Sequence, residues 1–159
     1  MHAAAHVLMA VRYGVPVLIV IRHPEDAVRS LLIRRPELRQ VTALNDYTDF
    51  YRIVQPFSNK LVIAKFETVT ENIGRVVEMI NRRYDRRFRW PSSVLEQEEI
   101  MASIDEANRL GHDGQVNPLF VPRPHAERER RKCELSFGGC DREMAEACEA
   151  YRRMLSDAI

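Results

Sequence analysis

Seven consecutive apolar residues, Val15-Pro-Val-Leu-Ile-Val-Ile21, run without a gap into Arg22-His-Pro24-Glu-Asp26. No other stretch restricts the fold as tightly. A run that is apolar at every position and rich in β-branched side chains reads as a strand covered on both faces. That is the situation of a parallel sheet with helices on either side. Proline suits the first position of a helix, where its missing N–H is not needed, and Glu25 and Asp26 fall in the first turn, where the helix dipole favours acids. The strand therefore turns directly into a helix that runs through Ala27 to Ile33, with Pro36 close beyond its end.

The rest of the chain yields to similar patterns. Ala3–Tyr13 reads as a short helix with Val7, Leu8 and Val11 on one side and Gly14 as its stop. Leu44, Tyr47, Phe50, Tyr51 and Val54 share a 3/4 spacing, which predicts a helix from Val41 to about Val54. Gln55-Pro56-Phe57-Ser58-Asn59 breaks it. Leu61–Phe66 is a second buried strand with Glu67 at its end. Thr68 or Thr70 is the expected cap of the next helix, roughly Glu71–Arg83, with Ile73, Val76, Val77 and Ile80 facing inward. Val94–Leu110 reads as an acidic amphipathic helix, Gly111–Gly114 as a loop and Val116–Pro124 as extended or irregular. Ala126–Cys133 and Asp141–Ser156 read as helices split by Gly138-Gly139. The order of strand, helices, strand and helix is that of an α/β layered domain with a short parallel sheet. One domain over 1–159 is expected, with an α/β core over about 15–90 and a mainly helical part over 91–159.

Composition narrows the partners. The 159 residues carry a formal charge of +1, so overall charge selects no class of ligand. Arginine dominates the cations, and arginine suits bidentate capture of phosphate-like anions. Three cysteines, Cys133, Cys140 and Cys148, lie in the last third of the chain. An odd number so placed fits a reducing cytoplasm rather than a disulfide framework. Asp141 and His125 are near them in sequence, but the spacing is loose for zinc, so no metal is expected. No apolar run approaches the roughly 20 residues of a membrane span. The apolar start, Met1–Ala10, lacks the basic region of a signal peptide.

In open α/β sheets, ligands sit outside the carboxyl ends of the strands. Arg22 and His23 end the first strand here, and Lys65, Phe66 and Glu67 end the second. Arg22 also stands where the free N–H groups of a helix start attract anions. Asp26 and Ser30 share a face of that helix by their i, i+4 spacing. The Ser30 hydroxyl can donate to an anion that Arg22 also holds. Against this, Arg22 could be a surface cation paired with Glu25 or Asp26, and Ser30 a helix serine bonded back to a carbonyl. His23 is the one candidate for a general base, since histidine titrates near neutrality. The plainer reading, a solvated residue in a turn before proline, is favoured. Arg82, Arg83, Arg86, Arg87 and Arg89 interleave with Tyr84, Phe88 and Trp90, a pattern able to bind single-stranded nucleic acid. As a pattern alone it fits better with a solvated helix end whose cations suit the dipole, so nucleic acid is not the expected partner. Glu96–Glu99 and Arg128–Lys132 read as solvated faces.

The segment Val17-Leu-Ile-Val-Ile-Arg22-His-Pro24-Glu-Asp26-Ala-Val-Arg-Ser30 resembles the 3′-phosphate-binding segment of sulfotransferases. In that family an apolar strand ends in arginine, and a serine follows eight residues later. The resemblance implies that Arg22 and Ser30 hold the 3′-phosphate of 3′-phosphoadenosine 5′-phosphosulfate (PAPS), or of adenosine 3′,5′-bisphosphate. Leu61–Phe66 with Glu67, Thr68, Val69 and Thr70 resembles the strand–acid–helix unit that comes next in the family. There Glu67 would tie down loops around the site, with Asp26 as a second supporting acid. Ile73–Tyr84 with Asn81 and Phe88, then Pro124–Lys132 and Ala145–Leu155, resemble later helices of bacterial members. The implied fold is a P-loop hydrolase-like α/β domain.

The family's glycine-rich loop for the 5′-phosphosulfate has no counterpart here. Gly14 is the sole glycine before Arg22, and no G-x-x-x-x-G-K-[ST] motif occurs. The chain thus resembles the C-terminal two-thirds of a sulfotransferase. The expected function is transfer of a sulfuryl group from PAPS to a hydroxyl or amine of unknown acceptor, with the catalytic residue unassigned. The alternative is a non-catalytic domain of that fold that binds a nucleotide, phosphate or sulfate, or serves as a scaffold. Lack of the strand that would precede Val15 implies an uncovered sheet, and with it self-association.

Overall fold

A computed structural model describes residues 3–91, 93–117 and 126–156. Two strands, β1 (Leu18–Ile21) and β2 (Val62–Lys65), pair in parallel with Leu18 opposite Val62 and Ile21 opposite Lys65. Around them lie α1 (Ala4–Arg12), α2 (Pro24–Arg34), α3 (Gln40–Val54), α4 (Phe66–Glu71), α5 (Ile73–Tyr84), α6 (Val94–Leu110), α7 (Ala126–Glu134) and α8 (Asp141–Ser156). The described chain is mostly helical around a small parallel sheet, a broadly α/β fold. No helix among the described residues is long and apolar enough to cross a membrane.

Helix α3 is the hub. Ala43, Leu44, Tyr47, Thr48, Tyr51 and Val54 are buried, in the 3/4 rhythm read from the sequence. They meet α1, α2 and α8. Thr48 is buried at no polar cost, because its hydroxyl donates to the Leu44 carbonyl at 3.0 Å. Leu44 is fully buried, and its truncation to alanine would cost about 2–5 kcal/mol.

The two faces of the sheet differ. Ile19, Ile21 and Ile63 join α3 and α8 in one core with Ala147 and Met154. Alternate residues point the other way, which puts Val20 and Ala64 together on the second face. There α5 packs against β2 and buries Val76 beside buried Val62 and Ala64. Among the described residues α5 gives β1 no comparable cover, and Val20 is 40 % exposed. The expectation that the first strand is covered on both faces therefore fails at Val20. One helix spans one strand, and two strands cannot share it equally.

Three further expectations are corrected. Gln55–Asn59 ends the α-helix at Val54 as expected, but its own residues form a 3-10 helix, Gln55–Lys60, rather than an irregular break. The second strand stops at Lys65, and Phe66 already begins a helix. Neither Thr68 nor Thr70 caps the next long helix. Thr70 lies inside α4, its hydroxyl bonded to the Phe66 and Glu67 carbonyls, while Asn72 caps α5 by accepting from the Arg75 N–H at 3.0 Å. Of the four inward residues read for α5, only Val76 is buried; Ile73, Val77 and Ile80 are half-buried. The Gly111–Gly114 turn and the later helices fall where expected, and α6 gains a Ser93–Glu96 capping box. The segment Val116–Pro124 and His125 lie largely outside the described residues.

Candidate functional site

The site forms where β1 ends. Ile21 is fully buried, and the chain must leave the sheet at Arg22 because Pro24 opens α2. Tyr47 of α3 fixes the exit, its hydroxyl donating to the Arg22 carbonyl at 2.7 Å. Burial pushes the Tyr47 phenol far above its ordinary range, so it remains a neutral donor. The Arg22 side chain then reaches over the first two turns of α2. Its Nη1 donates to Ser30 Oγ at 3.1 Å. Its guanidinium lies over the Phe66 ring, with Cζ 4.4 Å from the ring centroid. Phe66 is the first residue after β2, so the ends of both strands meet in this stack.

Two features leave the site open to an anion. Arg22 Nε is buried and has no hydrogen-bond partner among the described residues. A buried guanidinium N–H left unbonded is costly, and a ligand oxygen would satisfy it. Ser30 accepts from Arg22, so its own hydroxyl proton stays available to donate. Nor do the adjacent acids neutralise Arg22. Glu25 pairs with Arg29 at 2.7 Å, and Asp26 is half-buried without an ion pair among the described residues.

Helix α7 adds charge from across the site by packing on α2. Glu129, Arg130 and Arg131 are exposed, as expected of a solvated face, but the Arg128 and Lys132 side chains are only 19 % and 12 % exposed. Lys132 Nζ bonds Glu129 Oε1 at 2.6 Å and holds that carboxyl below its usual range, helped by the charges of Arg128 and Arg22. Glu129, itself exposed, is thus an anion already set against these cations. An incoming phosphate would compete with it for the same positive field.

Of the residues named from the sequence, Arg22 and Ser30 are brought together. The other three, Asp26, Glu67 and His23, make no side-chain hydrogen bond or ion pair to them among the described residues. Glu67 is exposed in the first turn of α4 and ties down no loop by hydrogen bond or ion pair among the described residues. Its charge acts on Tyr151, whose phenol is raised chiefly by burial and then by Glu67. His23 turns to α8, where its ring meets Tyr151 edge-on at 5.5 Å and Nε2 lies 3.9 Å from Cys148 Sγ. Burial raises the Cys148 thiol pKa. Sequence reasoning did not place Tyr47, Phe66 or Glu129 at the site. Phe66 carried a signal, since it stands at the second strand's end. Tyr47 carried none beyond its place on an apolar helix face.

No protein-family model, curated protein or solved structure matches the chain. Functional argument therefore rests on the site itself.

Proposed function

We propose that this chain is a sulfotransferase-like domain that binds a phosphorylated nucleotide through its 3′-phosphate at Arg22 and Ser30. The observation that supports this most is the 3.1 Å bond from Arg22 Nη1 to Ser30 Oγ, made across eight residues with neither Glu25 nor Asp26 paired to Arg22 among the described residues. It joins the two residues the resemblance names and leaves a buried Nε–H and a hydroxyl proton for a ligand. Charge-assisted bonds of this kind contribute about 1.5–3 kcal/mol each.

The residues fit one end of PAPS and not the other. Arg22 and Ser30 suit a 3′-phosphate, and Phe66 holds the guanidinium plane. No glycine-rich loop in this sequence suits a 5′-phosphosulfate, so these residues support no transfer step. Adenosine 3′,5′-bisphosphate is the ligand that tests the reading. In calorimetry it should bind more tightly than adenosine 5′-monophosphate, and Arg22→Ala should remove the difference. Equal binding of the two nucleotides, or indifference to Arg22→Ala, would reject the proposal. The same reading includes self-association over the uncovered Val20. Light scattering should show a species larger than the monomer, reduced by Val20→Lys.

A further inference from the structure

We infer that the segment from Arg82 to Trp90 is a binding surface for single-stranded nucleic acid. It includes five arginines against one acid, Asp85, and each of the five is exposed. None of them pairs with a carboxylate among the described residues. Many arginines elsewhere in this chain are paired with a carboxylate. In α8, for example, Arg142, Arg152 and Arg153 each bond a glutamate of their own helix. Unpaired guanidinium groups crowded on one segment repel one another, and a polyanion relieves that repulsion while releasing its own counterions.

The segment is also held in shape. Asp85 adopts a left-handed conformation (φ 49°) and reverses the chain after α5. Asn81 then clamps the reversed chain. Its carbonyl accepts from the N–H groups of Asp85 and Arg86, and its side chain pairs with the Phe88 backbone in both directions, at 2.9 and 2.7 Å. Tyr84 anchors the base of the loop. Its hydroxyl accepts from the Val17 N–H at 3.1 Å and lies within donating distance of the Val17 and Lys60 carbonyls. Tyr84 is thereby committed to the fold, and the aromatic rings left outside are Phe88 and Trp90, 52 % and 42 % exposed.

Exposed aromatics between unpaired arginines select among polyanions. Unpaired bases stack on such rings, whereas a sulfated polysaccharide has no π-face and a duplex keeps its bases stacked inside. The clamped loop, its cations and its two rings together match a flexible single strand.

Trp90 is the sole tryptophan, so its emission reports the contact directly. An oligouridylate of about 12 nucleotides should bind at about 50 mM salt and quench that emission. Trp90→Ala should weaken binding about ten-fold, measured by anisotropy of a labelled oligonucleotide. The triple change Arg86→Ala, Arg87→Ala, Arg89→Ala should lower the salt slope by about two. Arg22→Ala should leave both unchanged, which separates this surface from the nucleotide site. Circular dichroism checks that each variant keeps its helices. No binding at low salt overturns the inference. So does equally tight binding of a heparin oligosaccharide of matched charge that Trp90→Ala does not weaken, or equally tight binding of a duplex.

Discussion

Two arginine sites in this chain use the same side chain in opposite ways. Arg22 is a single half-buried cation held by a serine, an aromatic ring and a tethered backbone. The arginines of 82–89 are exposed and unpaired among the described residues, two in the last turn of α5 and three on the clamped loop. A cation taken partly out of water interacts strongly but only over the geometry its partners allow. It therefore selects the shape of one anion. Cations left in water interact weakly and are screened, so they act by number and recognise a charged chain. Under the two proposals, one region serves selectivity and the other capture.

Salt should split the two most widely. If all five arginines contact phosphate, raising salt from about 50 to about 200 mM should weaken oligonucleotide binding about 100-fold. Bisphosphate binding at Arg22 should change only about three-fold over the same range, since partly buried charges are screened less. Parallel titrations check this, and equal salt slopes would erase the distinction. Next in size is Arg22→Ala, which should lower bisphosphate affinity about 10- to 100-fold while oligonucleotide binding stays constant. Arg22→Lys should recover only part of the loss, because an ammonium keeps the charge but not the planar fork.

The sequence was informative where the determinants are local. Pro24 after an apolar strand marks the helix start, and Arg22 and Ser30 are only eight residues apart across that strand–helix turn. The hub helix was equally visible in the rhythm of Leu44, Tyr47, Tyr51 and Val54. What escaped reading joins distant residues. Tyr47 reaches the Arg22 carbonyl across 25 positions, and Phe66 meets the Arg22 guanidinium from the start of α4, just past the neighbouring strand. Val20 misled for the same reason. Its burial depends on whether α5 extends over β1, which no property of Val20 encodes. Asn81 is another case. Its side chain sits on a polar helix end, and its value appears only when Phe88 returns to it seven residues later.

The tether from Tyr47 tests whether Arg22 depends on fixed geometry. Tyr47→Phe keeps the ring and removes the donor, leaving the Arg22 carbonyl short of a partner. Stability should fall by about 1–2 kcal/mol in urea unfolding. Bisphosphate affinity should drop about three- to five-fold as the guanidinium loses its fixed base. Unchanged affinity would mean that Ser30 and Phe66 position Arg22 without help from α3.

The clamp at Asn81 is the corresponding test for the exposed region. Asn81→Ala removes two hydrogen bonds to Phe88 but no charge. If cations in water act by number, the salt slope of oligonucleotide binding should stay the same. Only the affinity should fall, about two- to five-fold, because the loop must then be ordered by the ligand. Both bonds are solvent-exposed, so global stability should change by no more than about 1 kcal/mol. A lowered slope would show instead that the clamp decides which arginines can reach phosphate together. The exposed loop would then share with Arg22 a dependence on geometry, and the division between selectivity and capture would be one of degree.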